Sequence, residues 1–119
     1  MKKIKVSEAQ GAALDWLVAK CEGVKVAISG CGRLWVDRGR RETWGGQVSY
    51  TNWSQGGPII EREGICFDKP EMSSQWICDK RMGSGRICRQ YGSTILIAAL
   101  RCYVASKLGE EVEVPDELS

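Results

Sequence analysis

The sequence predicts an α+β domain, on three observations. Near the C-terminus, Ile95, Leu96, Ile97, Ala98, Ala99 and Leu100 are apolar on every face of two helical turns, as in a helix buried at the centre of a molecule. Near the N-terminus, Ala9, Ala13, Trp16, Leu17 and Cys21 fall on one helical stripe. Between them lie short apolar runs separated by glycine-containing turns, the pattern of strands. Two main helices, over about 8–21 and 94–108, are therefore expected against a small, mostly antiparallel sheet. A chain of 119 residues with no composition break fits a single domain over 1–119 with one core.

Residues 2–6 alternate as a short edge strand that points lysines to water. Ser7 then opens the first helix, with Gln10 completing a Ser-x-x-Gln capping pattern. Gly23 stops it. Glu8, Asp15, Lys20 and Glu22 fall off the apolar stripe, so this helix is expected to pack on one side only. Residues 24–29 and 33–37 read as a hairpin turning through Gly30, Cys31 and Gly32. Over 38–47 periodicity disappears, and Gly39, Gly45 and Gly46 interleave with Arg38, Arg40, Arg41 and Trp44 in a basic loop. After an extended run at 48–51, Pro58 suits the first turn of a short helix to about Glu63 that Gly64 can end.

Residues 65–67 and 75–78 read as strands around a turn holding Pro70. Gly83, Gly85 and Gly92 with Arg86 and Arg89 make 81–92 a loop, with at most a short strand near Ile87. Ser93 or Thr94 can then cap the central helix, Gly109 sits where a left-handed C-cap belongs, and Lys107 favours its negative end. Its apolar run is too short for a membrane span, which needs roughly twenty residues. Residues 111–114 form an edge strand within an acidic tail at 110–119, before Pro115.

The formal charge is +2, but the last ten residues hold five acids and no base, which leaves the body at +7. That asymmetry points to an anionic partner, or equally to a solvated surface with a solubilising tail. The basic N-terminus is followed by no apolar export segment. Cys21, Cys31, Cys66, Cys78, Cys88 and Cys102 fall mostly on predicted helices and strands, so buried free thiols in a reducing cytoplasm are expected ahead of a disulfide framework.

Histidine is absent, which removes the commonest general base and zinc ligand. No Cys-x-x-Cys pair, phosphate-binding GxxxxGK[ST] or GxGxxG is present. Asp37, Glu61, Glu63 and Asp79 show no spacing that pairs them for glycosidase-like work. The chain is therefore expected to be no enzyme, with no catalytic residue, metal or cofactor.

Two segments carry the parts of a recognition site. In the first, Trp53 offers a stacking face, Asn52, Ser54 and Gln55 offer donors and acceptors, and Gly56 and Gly57 permit close backbone approach. In the second, Tyr91 can stack, and the amides of Gly92, Ser93 and Thr94 begin the central helix, where an anion is favoured. Arg40, Arg41, Arg86 and Arg89 can close on that anion. Each has a plainer reading. Trp53 can be core, Gln55 and the glycines a turn, Tyr91 and Thr94 a staple and cap, and the arginines a solvated face.

The run NWSQGGPII at 52–60, the ending TILIAALRCYVASKLGEEVEVPDEL and the opening MKKIKVSEAQGAALDWLVAKCEG resemble the NinX family of lambdoid phages and prophages. Residues 66–89 carry least of the likeness. The resemblance implies a phage accessory protein made inside a bacterium and supplies no reaction. Joined to the two segments, it leads to the expectation of a cytoplasmic, non-catalytic protein that sequesters a small anionic nucleotide-like ligand as a counter-defence sponge, with a homo-oligomer able to build shared pockets. A nucleic-acid-associated accessory protein, drawing on Arg38 to Arg41 and Trp44, and a protein-binding inhibitor of a host factor are the alternatives. No membrane partner is expected.

Overall fold

The computed structural model describes residues 1–39 and 45–118. Among these, the chain runs β1 (Lys2–Lys5), α1 (Gly11–Glu22), β2 (Val26–Ile28), β3 (Leu34–Val36), α2 (Trp53–Glu63), β4 (Cys66–Asp68), β5 (Trp76–Arg81), β6 (Ile87–Gly92), α3 (Ile95–Leu108) and β7 (Glu111–Val114). The fold is α+β. Its centre is α3, whose Leu96, Ala98, Ala99, Leu100, Cys102, Tyr103, Val104 and Ala105 are all buried. Thr94 caps it by accepting the Ile97 N–H at 3.1 Å. Gly109 ends it with φ +89° but an extended ψ of −178°, a positive-φ cap outside the left-handed helical region expected for it.

The single small sheet expected from the sequence is three separate antiparallel ones: β1 with β7, β2 with β3, and β4-β5-β6. Each has its own helix surface to cover. α3 packs on β5 and β6, while Leu34 and Val48 join Ala19 of α1 in a second, smaller core. For the same reason α1 does not pack on one side only. Leu14, Leu17 and Val18 face the main core and Ala19 faces the second.

Three further boundaries differ from expectation. Ser7 lies in a 3-10 turn (Val6–Glu8) and α1 begins only at Gly11, because fully buried Val6 is held by its N–H on the Glu110 carbonyl at 2.8 Å and Gly11 has φ +57°. α2 starts at Trp53, well before Pro58, which stands inside it. Asn52 makes the early start, its Oδ1 accepting the Ser54 N–H at 3.0 Å, and the proline withholds only the N–H that the Ser54 carbonyl would have taken. The predicted loop at 81–92 is mostly β6, paired along its whole length with β5 from Trp76↔Gly92 to Arg81↔Ile87. Only the tight turn between them is loop, closed by Met82 N–H on the Arg86 carbonyl at 2.8 Å.

Candidate functional site

The first predicted segment is largely committed to holding itself in place. Asp15, 6 % exposed, accepts the Thr51 N–H at 3.0 Å and so moors the approach to α2 on α1. Burial raises its pKa, and hydrogen bonds from Thr51 and Tyr50 pull it partly back. Asn52 is occupied as the cap and also accepts the Ser54 hydroxyl at 3.0 Å. Gln55 accepts the Ser49 N–H at 2.9 Å and donates to the Gln47 carbonyl at 3.1 Å. Gly56 is needed for packing, since a β-carbon there would stand 2.1 Å from the Tyr50 carbonyl oxygen and 2.7 Å from Leu96 Cδ2. Gly57 backs the Trp53 ring. Trp53 itself is 56 % exposed, so it is a surface residue and not core.

In the second segment the same economy holds around the mouth of α3. Thr94 serves the Ile97 amide, and its carbonyl accepts the Ala98 N–H at 3.1 Å. Gly92 allows β6 to touch α3, for a β-carbon there would lie 2.7 Å from the Ala98 nitrogen. Ser93 is exposed. Arg101 fixes the end of β6 by donating to the carbonyls of Tyr91 at 2.7 Å and Ala9 at 2.8 Å. Tyr91 remains open, at 46 % exposure.

Tyr91 does line a cleft, of about 310 Å³, together with Lys5, Ser7, Arg89, Gln90, Glu110 and Glu111. None of these comes from the Trp53 segment. The two aromatic faces joined in the sequence reading thus do not share this cleft. Of the four arginines, Arg89 reaches it, but its fork is already bidentate on Asp79 at 2.8 and 3.1 Å, which holds the Asp79 carboxyl below its ordinary range. Arg86 lies beyond the far end of β6, roughly 16 Å along the strand from Tyr91. Arg40 and Arg41 lie outside the described residues, as does Trp44.

What the sequence reading missed is Gln90. Alternation along β6 sends Ile87, Arg89 and Tyr91 outward and Cys88, Gln90 and Gly92 toward α3. Gln90 is consequently 6 % exposed, yet no group among the described residues hydrogen-bonds its side chain. Among the described residues, every fully buried side-chain N or O has a partner. The Gln90 amide therefore opens on the cleft it lines, with a free donor and a free acceptor. The signal was present as a period of two in ICRQYG, masked by the glycines before it.

Two of the other carboxylates singled out in the sequence make structural bonds. Asp37 accepts the Gly39 N–H at 2.8 Å, and Glu63 pairs with Arg62 at 2.9 Å and Lys80 at 3.7 Å. All six cysteines are unpaired; Cys78 and Cys102 are buried, but Cys31 and Cys66, on a turn and an edge strand, are exposed. The Ser29 hydroxyl, 3.1 Å from the Cys31 sulfur, lowers that thiol's pKa, with help from the chain at Arg33. No group of His, Cys, Asp or Glu among the described residues is arranged to hold a metal ion. No helix among them is long and apolar enough to cross a membrane.

The family model described as bacteriophage P22 NinX matches residues 5–107. The chain belongs to the NinX family. The match takes in α1, α2, β6 with Gln90 and α3 to its last residue but one, and stops before β7. No curated protein matches this NinX-family chain.

Proposed function

We propose that this NinX-family protein is a non-catalytic phage accessory protein that binds a small planar ligand of the nucleotide class in the cleft beside Tyr91, and so sequesters it in the cytoplasm of the host. The observation that carries the reading is Gln90, 6 % exposed with its amide unpartnered. Its amide faces the cleft it lines, where a nucleobase edge can take up the donor and the acceptor in place of water. The exposed Tyr91 ring gives the base a face to stack on. Lys5 is the cation of the lining that can meet a phosphate, since Arg89 is held by Asp79, and Glu110 and Glu111 offset the two. A lining of balanced charge gives no pull on a polyphosphate or a nucleic-acid strand, which leaves a small ligand of low charge.

Thermal shift of the full chain against cyclic mononucleotides, cyclic dinucleotides and ADP-ribose-type compounds tests this. A cognate ligand at a hundred times its Kd stabilises by about 2.7 kcal/mol, a rise of several degrees. Gln90→Leu, which fills the same volume without the amide, is expected to keep the melting temperature of the free protein and lose the ligand-induced rise. A flat response across the whole panel overturns the proposal.

A further inference from the structure

The interface of β6 with α3 brings two thiols face to face. The Cys102 sulfur donates to the Cys88 carbonyl at 3.0 Å, and the Cys88 sulfur donates to the Cys102 carbonyl at 3.6 Å, across a sequence separation of 14. Such a reciprocal exchange requires both side chains to cross the same narrow gap. The gap is narrow because Gly92, further along the same face of β6, lets the strand approach the Ala98 backbone. Cys102 is fully buried, whereas Cys88 is half-buried and within reach of solvent. The third thiol of the region, Cys78, is turned away to the Ile95 carbonyl at 3.8 Å.

We propose that Cys88 and Cys102 are a reversible disulfide site that locks β6 onto α3 when a small-molecule disulfide oxidises it. The inference does not depend on ligand binding in the Tyr91 cleft. Cys88, losing its proton to solvent, attacks one sulfur of the oxidant, forms a mixed disulfide and expels a thiolate that takes up a proton. Cys102 then loses its proton, its sulfur attacks Cys88 Sγ, the mixed disulfide breaks and a second small thiol leaves. Two protein thiols have given up two electrons and two protons, and one oxidant disulfide has become two thiols. Burial raises the pKa of both cysteines, so the exchange is slow at neutral pH and faster in mild alkali.

The full chain is incubated at pH 8 with excess glutathione disulfide or with dithiothreitol, alkylated, and digested with trypsin without reduction. Cleavage after Arg86, Arg89, Arg101 and Lys107 isolates Cys88 in 87–89 and Cys102 in 102–107, while Cys66 and Cys78 stay together in 63–80. The expected product is 87–89 joined to 102–107, with a melting temperature roughly 5–15 °C above the reduced protein. A Cys31→Ser, Cys66→Ser protein, which lacks only the exposed thiols, keeps both the link and the rise; Cys88→Ser loses both. Cys88 and Cys102 recovered separately, or either joined to 63–80, overturns the proposal.

Discussion

A methyl group at Gly56 has nowhere to go. It would meet the Tyr50 carbonyl oxygen at 2.1 Å, and that carbonyl belongs to a segment tethered by Asp15 and Gln55. Gly56→Ala should therefore destabilise the protein by about 2 kcal/mol, because an overpacking cost at the upper end of roughly 1–3 kcal/mol exceeds the gain of about 1 kcal/mol from a better helix former. At Gly57 the nearest atom is a carbon of the Trp53 ring at 3.4 Å, and Gly57→Ala should change stability by less than about 1 kcal/mol. Urea unfolding of the two variants checks the contrast; equal midpoints would contradict it. The same residues show where the sequence ran out. That Gly56 permits a close approach was legible from its type, but whether ligand or backbone approaches depended on Tyr50 and Leu96. Gln90 was illegible for a different reason: it was assigned to a loop, and only a strand's alternation turns it inward.

The three helices are tied at one point. Arg62 of α2 forks onto Glu22 of α1 at 3.0 and 2.6 Å, reaches Glu63 at 2.9 Å, and lies over the Tyr103 ring of α3 at 5.8 Å. The Tyr103 hydroxyl donates to the same Glu22 carboxylate. The Arg62 hydrogen bond, more than any other influence, holds the Glu22 carboxyl below its ordinary value of 4.5. A carboxylate so depressed stabilises the fold at pH above that ordinary value, and the contribution is lost as pH falls through the lower folded-state value. Glu22→Gln should cost about 1 kcal/mol at pH 7, a modest figure because Arg62 is half exposed, and its melting curve should converge with that of the parent toward pH 3. An offset independent of pH between 3 and 7 would refute it. At this scale the sequence was most informative for α3, whose apolar faces and caps are local. It was least informative for α2 and β6, where an Asn cap overrode proline and pairing with β5 overrode glycine.

For the whole molecule, the acidic C-terminal segment is part of the fold as well as of the charge balance. β7 pairs with β1 so that Lys3 faces Glu113 and Lys5 faces Glu111, while the intervening Val112 and Val114 are 7 % and 0 % exposed in the main core. The alternation of charge and valine made a strand legible there, but nothing local revealed that its partner is the opposite end of the chain. Burying a valine contributes about 1.5–3 kcal/mol, so deleting residues 110–119 should remove about 3–6 kcal/mol from a total that for a domain is about 5–15 kcal/mol. It also strips the carbonyl of Glu110 from the Val6 N–H. A Glu111→Gln, Glu113→Gln protein, which loses the charges and keeps the valines, should stay within about 1 kcal/mol of the parent. Denaturant midpoints of the three proteins decide between the two roles: a truncated chain that unfolds with the parent would show that the core does not need the segment, and a glutamine variant that loses as much as the truncated chain would show that the segment acts through charge.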